Sequence, residues 1–273
     1  MLRSIKDIEN YTISATDGPI GLVKDFYFDD DAWVIRYLVI DAGSWLSSRK
    51  VLISPISLHH PKWEEGTLPV SITKEQVKNS PNFDTNKPVS RQNEVQYMGY
   101  YGYPYYWGGG SMWGESIYPY AMDLDAAGCR EDWVEREQRE IAYFRAEQTL
   151  HRNDDPHLRS CNAVTGYHLH AIDGEIGHVA GYLIDDETWA IRYIVVDTSN
   201  WWLGHKVLIA PEWITGVHWP TETVSIELTR ELVKDSPAYD PNMEWTRQFD
   251  LSLNQHYGRT AYWAGSTVLG KDI

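Results

Sequence analysis

The chain has 273 residues, with 39 acidic against 24 basic side chains, a formal charge of −15 and 42% hydrophobic residues. That apolar share is enough for folded cores, and the length fits one or two domains. The acidic balance argues against binding to nucleic-acid backbones, which needs a basic patch, and against adsorption to anionic lipid.

The same charge serves a soluble surface kept apart by self-repulsion. The opening MLRSIKDIEN has no apolar signal core, and no run approaches the roughly 18 apolar residues of a membrane span. Neither export nor membrane insertion is expected, and the expected location is the cytoplasm. Cys129 and Cys161 do not occupy matching places in the repeat described below, and they read as reduced thiols of a cytoplasmic protein.

In chain order, Tyr11 to Thr16 reads as a strand leading into the turn Asp17-Gly18, where glycine tolerates positive φ. A strand from Ile20 to Phe28 follows, then the acidic tip Asp29-Asp30-Asp31. The next strand, Trp33 to Asp41, is apolar on both faces apart from Arg36, so it should be covered on both sides. Lys50 to Ile53 supplies another strand and stops near Pro55, which cannot continue a ladder. Thr73 is placed to cap a short helix that ends at Ser80-Pro81.

This pattern returns 156 residues later without a gap. From Tyr11 to His60, 21 of 50 residues are identical to their partners at that offset. Unrelated sequences would share about three at average frequencies, so the chain reads as an internal duplication. Aromatic arms follow each copy. YMGYYGYPYYWGGG runs from Tyr97 to Gly110, and its Tyr101, Tyr106 and Trp107 recur as Tyr257, Tyr262 and Trp263. Such rings either complete a small core or form an exposed platform for a partner. Tyr101, Tyr103, Tyr106, Trp107, Tyr257, Tyr262 and Trp263 are therefore the candidate partner-binding residues. Gly108 to Asp125 reads as linker, and 131–150 as a spacer helix with Trp133, Ile141, Phe144 and Gln148 on one side, expected to pack on its own barrels. The expected organisation is 1–107 for the first repeat with its arm, 108–156 for the linker, 157–265 for the second repeat and 266–273 for a tail.

The turn D-G-x-x-G, the acidic tip, W-x-I-R-Y-x-V-x-D and K-V-L-I-x-P resemble the PRC-barrel family, named for the cytoplasmic domain of the photosynthetic reaction-centre H subunit. The signature positions are Asp17, Gly18, Gly21, Asp29, Trp33, Arg36, Tyr37 and Asp41. Their twins are Asp173, Gly174, Gly177, Asp185, Trp189, Arg192, Tyr193 and Asp197. The resemblance implies a mainly β fold: two small, mostly antiparallel barrels serving as docking modules.

Several groups invite chemistry. His168 and His170 share one strand face, a spacing zinc can use, but no third ligand stands nearby. The tip Asp29-Asp30-Asp31 lacks the spaced ligands and glycine of a calcium loop and reads as a solvated turn. Arg36 and Arg192 need carboxylates, with Asp29, Asp41 and their twins as candidates. Nucleophile elbows, phosphate loops and metal-spaced cysteines are missing from the sequence. No catalytic residue, metal or cofactor is expected. The favoured function is a non-enzymatic adaptor with a protein partner, its repeats acting bivalently, as a pseudo-dimer or in a homo-oligomer. The alternatives are an H-subunit-like role beside membrane electron-transfer complexes, which the resemblance implies, and a small-molecule-binding or stress-related enzyme.

Overall fold

The computed structural model describes residues 1–46, 49–82, 89, 91–107, 109–122, 157–198, 205–243 and 245–263. The expected helix at 131–150, Cys129 and the tail from 266 lie outside these residues. The chain divides into two compact units. The N-terminal unit comprises Ile8–Asn162 with Glu187–Ala190; the C-terminal unit comprises Met1–Asp7, Ala163–Asp186 and Ile191–Ile273.

The N-terminal unit contains β2 (Thr12–Ala15), β3 (Gly18–Asp29), β4 (Val34–Asp41), β5 (Lys50–Ile53) and β6 (Thr67–Pro69), hydrogen-bonded in the order β5-β4-β3-β2-β6. Seven of the eight residues of β4 are buried, Arg36 among them, so the strand is covered on both faces as its sequence requires. Trp33, between β3 and β4, sits at a φ of 54°, a conformation unusual for a bulky residue. It stacks on Phe28 with centroids 5.0 Å apart. Thr73 caps the helix Lys74–Asn79 through a reciprocal box with Gln76.

The C-terminal unit repeats this order with β8 (His168–Ala171), β9 (Gly174–Asp185), β10 (Ile191–Asp197), β11 (Lys206–Ile209), β12 (Ile214–His218) and β13 (Thr223–Ile226), paired as β11-β10-β9-β8-β13-β12. His168 and His170 are exposed on one face of β8, and His168 pairs with Glu175 at 2.8 Å.

Each sheet has one further strand, and it comes from an unexpected end of the chain. β1 (Leu2–Ser4) pairs antiparallel with β9, and β7 (Leu158–Ser160) pairs antiparallel with β3. The strand that opens each half of the sequence thus completes the sheet built by the other half. Arg3 reaches Asp186 at 2.8 Å, and Arg159 reaches Asp30 at the same distance. Asp30 is engaged by this pair and Asp29 is buried, so the tip is less solvated than the sequence suggests.

Two expectations are corrected. Neither sheet closes into a barrel, because each strand path has two ends among the described residues. Ser54-Pro55 ends the ladder of β5, and the edge is met by a side chain instead. The Tyr97 hydroxyl accepts from Ser54 N at 3.0 Å and donates to Leu52 O at 3.2 Å. The sheets are mostly antiparallel as expected, with β2 pairing parallel with β6 and β8 parallel with β13. The first arm begins as a helix, α3 (Arg91–Tyr101), and Arg247–His256 forms the matching helix α6. (Ile5–Ile8 is α1, Lys74–Asn79 α2, Cys161–Val164 α4 and Arg230–Lys234 α5.) The segment after α3 reads as linker in the sequence, yet Trp113 is wholly buried and Pro119 to Met122 form a packed turn.

Gly21 shows why one signature glycine is needed. A Cβ there would lie 2.0 Å from the carbonyl oxygen of Asp41, and at Gly177 it would lie 2.1 Å from that of Asp197. Both obstacles are backbone, which does not yield cheaply. Gly21→Ala and Gly177→Ala should each destabilise the fold by about 2–4 kcal/mol in urea unfolding. At Gly43, φ is +65° and nothing lies within 4 Å, so alanine there should cost only about 1 kcal/mol. Equal losses at positions 21 and 43 would contradict the close-approach argument.

Candidate functional site: a buried carboxylate beneath the aromatic arm

The densest polar cluster of the N-terminal unit forms where α3 and the aromatic segment fold over β3 and β4. Arg36, almost fully buried, places one guanidinium nitrogen 3.3 Å from Asp29 Oδ2 and donates another to the carbonyl of Met112 at 2.6 Å. Its planar head lies 3.8 Å from the centre of the Tyr106 ring and 4.7 Å from that of Trp113. A guanidinium suits this niche because it ion-pairs in its plane and stacks across its face.

Glu94, on the inward side of α3, is the second anchor. Tyr37 donates its hydroxyl to Glu94 Oε1 at 3.1 Å, and Tyr106 donates to the same oxygen at 2.5 Å. Arg91 lies 3.1 Å from Oε2 and also donates to the Tyr106 hydroxyl at 3.0 Å. His157 Nε2 stands 2.7 Å from Oε2, within ion-pair range though off the line of a hydrogen bond. Both carboxylate oxygens are thus taken up by protein groups. Burial, reinforced by the charge of Glu94, pushes the phenols of Tyr37 and Tyr106 well above their ordinary range, so they remain proton donors. Burial tends to raise the carboxyl of Asp29. The Arg36 charge and the Ala32 N–H outweigh it and hold that group below the usual carboxylate range.

The C-terminal unit carries a related cluster at the same offset in sequence. Tyr193 donates to Asp250 Oδ1 at 2.6 Å, Asn254 donates to the Tyr193 hydroxyl at 3.0 Å, and Trp263 donates to Asp250 Oδ2. Arg192 pairs with Asp185 at 3.5 Å and lies 4.3 Å from the centre of the Tyr262 ring. Burial lifts the Tyr262 hydroxyl to about 12.

The structure therefore selects Asp29 and Asp185, rather than Asp41 and Asp197, as the partners of Arg36 and Arg192. Glu94, Asp250, Arg91 and His157 were missed from sequence. The signal available was the recurrence of an arginine followed three residues later by an acid, Arg91 to Glu94 and Arg247 to Asp250, just before each arm. Of the candidate partner-binding residues, Tyr106 and Tyr257 are buried. Tyr101, Tyr103, Trp107, Tyr262 and Trp263 are partly exposed. Tyr101 and Tyr103 stack at 5.4 Å, and Tyr105 and Trp107 at 4.6 Å. A separate groove of about 320 Å³ is lined by Trp45, Lys74, Glu75, Lys78 and Asn79, with the Lys74 ammonium 4.6 Å from the centre of the Trp45 ring. Asp29, Asp30 and Asp31 bring carboxylate oxygens within 4.8 Å of one another. The first two already face Arg36 and Arg159.

Residues 2–77 match the PRC-barrel domain family, and the chain matches no curated protein. The chain thus carries a PRC-barrel domain at residues 2–77. The matched span begins with β1, whose strand lies in the C-terminal unit. Sequence domain and folded unit therefore differ at that point.

Two outcomes follow from this geometry. Replacing Glu94 by alanine leaves Arg91 and His157 without their carboxylate and should cost about 3–5 kcal/mol, whereas Tyr37→Phe removes one hydroxyl and should cost about 1 kcal/mol. Asp29 has its carboxyl depressed in the folded state. Its contribution is complete above the unfolded value of about 3.9 and fades as pH falls through the lower folded value. Asp29→Asn should therefore destabilise strongly at pH 7 and progressively less below about pH 4. Urea unfolding at both pH values checks this, and a pH-independent penalty would exclude the ion pair as its source.

Proposed function

We propose that the chain is a non-enzymatic adaptor with two PRC-type units, the second related to the first by internal duplication, and that it holds a protein partner in the cytoplasm. The observation that carries this reading is the state of the polar cluster. Its acids, arginines and phenols face one another in a packed interior. A site for chemistry places ionisable groups around a space where a reactant fits. Here both oxygens of Glu94 are occupied by Tyr37, Tyr106, Arg91 and His157. The matching strand order of the two sheets supports the duplication. Two linked binding units also gain avidity through effective concentration.

Contact with the partner falls to the outer rings of the arm rather than to its buried ones. Tyr100 and Tyr120 are exposed, at 39% and 56%, and Ile117 beside them in sequence is 50% exposed. Tyr118 and Tyr120 stack at 5.2 Å, forming a stiff aromatic surface. Such residues dominate binding energy at protein interfaces.

The test is a pull-down with the full chain from its own cells, using soluble and detergent-solubilised fractions. The parent should retain a specific protein, and Tyr100→Ala with Tyr120→Ala should reduce capture by about tenfold or more while the melting transition stays in place. Capture untouched by the substitutions would move the contact away from the arm. Failure of the parent to retain any protein from either fraction would overturn the adaptor reading.

A further inference from the structure

β1 and β7 have the same sequence, Leu-Arg-Ser, and dock in the same register with the same arginine–acid pair. Leu2, Arg3 and Ser4 stand opposite Asp185, Ile184 and Leu183 of β9. Leu158, Arg159 and Ser160 stand opposite Asp29, Phe28 and Tyr27 of β3. The N–H of Asp186 bonds to Met1 O at 3.0 Å, and that of Asp30 to His157 O at 3.0 Å. Arg3 and Arg159 each reach the first acid beyond the acceptor strand, Asp186 or Asp30, at 2.8 Å. Ile5 and Cys161 follow, both buried, as the first residues of α1 and α4.

The β9 acceptor reads Leu-Arg-Ser and one arginine, and β1 is the same in every copy of the chain. It therefore has no means of telling which copy supplied the strand. We propose that a second copy of this chain is a partner through these strands, delivering its β1 to the β9 acceptor of the first and receiving β1 in return. Domain swapping of this kind is a low-barrier route to dimers because each contact of the closed monomer is made again between copies. β1 suits the exchange because it is followed by one short turn, α1. Within one chain the strand competes at an effective concentration on the order of millimolar. The exchange therefore emerges on refolding concentrated protein, or wherever the intrachain fit is spoiled. The proposal stands apart from the adaptor reading.

Charge reversal tests it in the full chain. Arg3→Asp sets two acids against each other within one copy. Asp186→Arg sets two cations together, beside the Met1 amine that also lies on Asp186 at 2.5 Å. In an exchanged heterodimer, the aspartate introduced at position 3 of the first variant meets the arginine introduced at position 186 of the second, and the remaining site is native. Co-refolding the two variants should give a heterodimer, counted by native mass spectrometry with one copy tagged, at about tenfold or more over either homodimer, since like-charge contacts discriminate strongly. The two reversals combined in one chain should restore a monomer that melts above either single variant. A mixture that stays as two monomers would overturn the proposal. So would a combined variant that melts no higher than the singles, because the Arg3–Asp186 pairing would then be absent.

Discussion

A guanidinium in the middle of an apolar strand is the constraint from which the N-terminal unit is built. Arg36 lies in β4 between Ile35 and Tyr37, and such a charge is tolerated in the interior only when a carboxylate and other acceptors meet it. Asp29 answers it from the far side of the hairpin, which fixes the acidic tip against the sheet. The Met112 carbonyl, Tyr106 and Trp113 answer from the aromatic segment, so that segment must fold back over the strand. Its return brings α3 over Tyr37, and α3 supplies Glu94 to take up the hydroxyls of Tyr37 and Tyr106. Tyr97, on the same helix, then covers the exposed edge of β5. Composition alone leaves open whether the arm completes a core or stands exposed. It is a lid whose closure the arginine demands.

The two units solve this problem with different chemistry. Glu94 is long enough to gather two phenols, Arg91 and His157, and so holds a charged network. Asp250, one methylene shorter, is met by Tyr193 and the indole of Trp263, while Asn254 supports the tyrosine. Arg192 is also less enclosed than Arg36, with 15% of its side chain exposed against 3%. Removing charge from the first network strands the Arg91 guanidinium and leaves two phenols without their acceptor. In the second it breaks hydrogen bonds from uncharged donors, a phenol and an indole, to the carboxylate.

Local pattern made most of the sheets legible in the sequence. Asp17-Gly18 fixes a turn, alternation and β-branched residues fix β3 and β4, and Pro55 fixes the end of β5. Thr73 and Thr229 mark helix starts because a hydroxyl there satisfies a free N–H. What was hidden depended on long-range partners. α3 carries Gly99 and several tyrosines, which weaken helical propensity, and is held by Glu94 and Tyr97 reaching into the core. Trp113 lies among glycines that look like linker until its indole finds the Thr188 carbonyl at 2.9 Å. The exchanged strands could not be assigned from sequence, since two identical Leu-Arg-Ser segments carry no record in their pattern of which acceptor each takes. The signature residues were identifiable, but the acids that complete their surroundings were not.

The exchanged strands also set an order in time. A chain emerging from the ribosome presents β2 to β6 early, but the strand that belongs beside β3 begins at Leu158, roughly 130 residues further on. At typical rates of about 5–20 residues per second, the interval is on the order of ten seconds, long compared with the folding of a small domain. Throughout it the edge of β3 lacks its final neighbour, and an open strand edge invites pairing with other chains. One Leu-Arg-Ser segment has already been made by then, the first in the chain. Its eventual acceptor, β9, is the last of the four pieces to be synthesised. During translation, the first strand is thus without its own seat at the time when the seat beside β3 stands open.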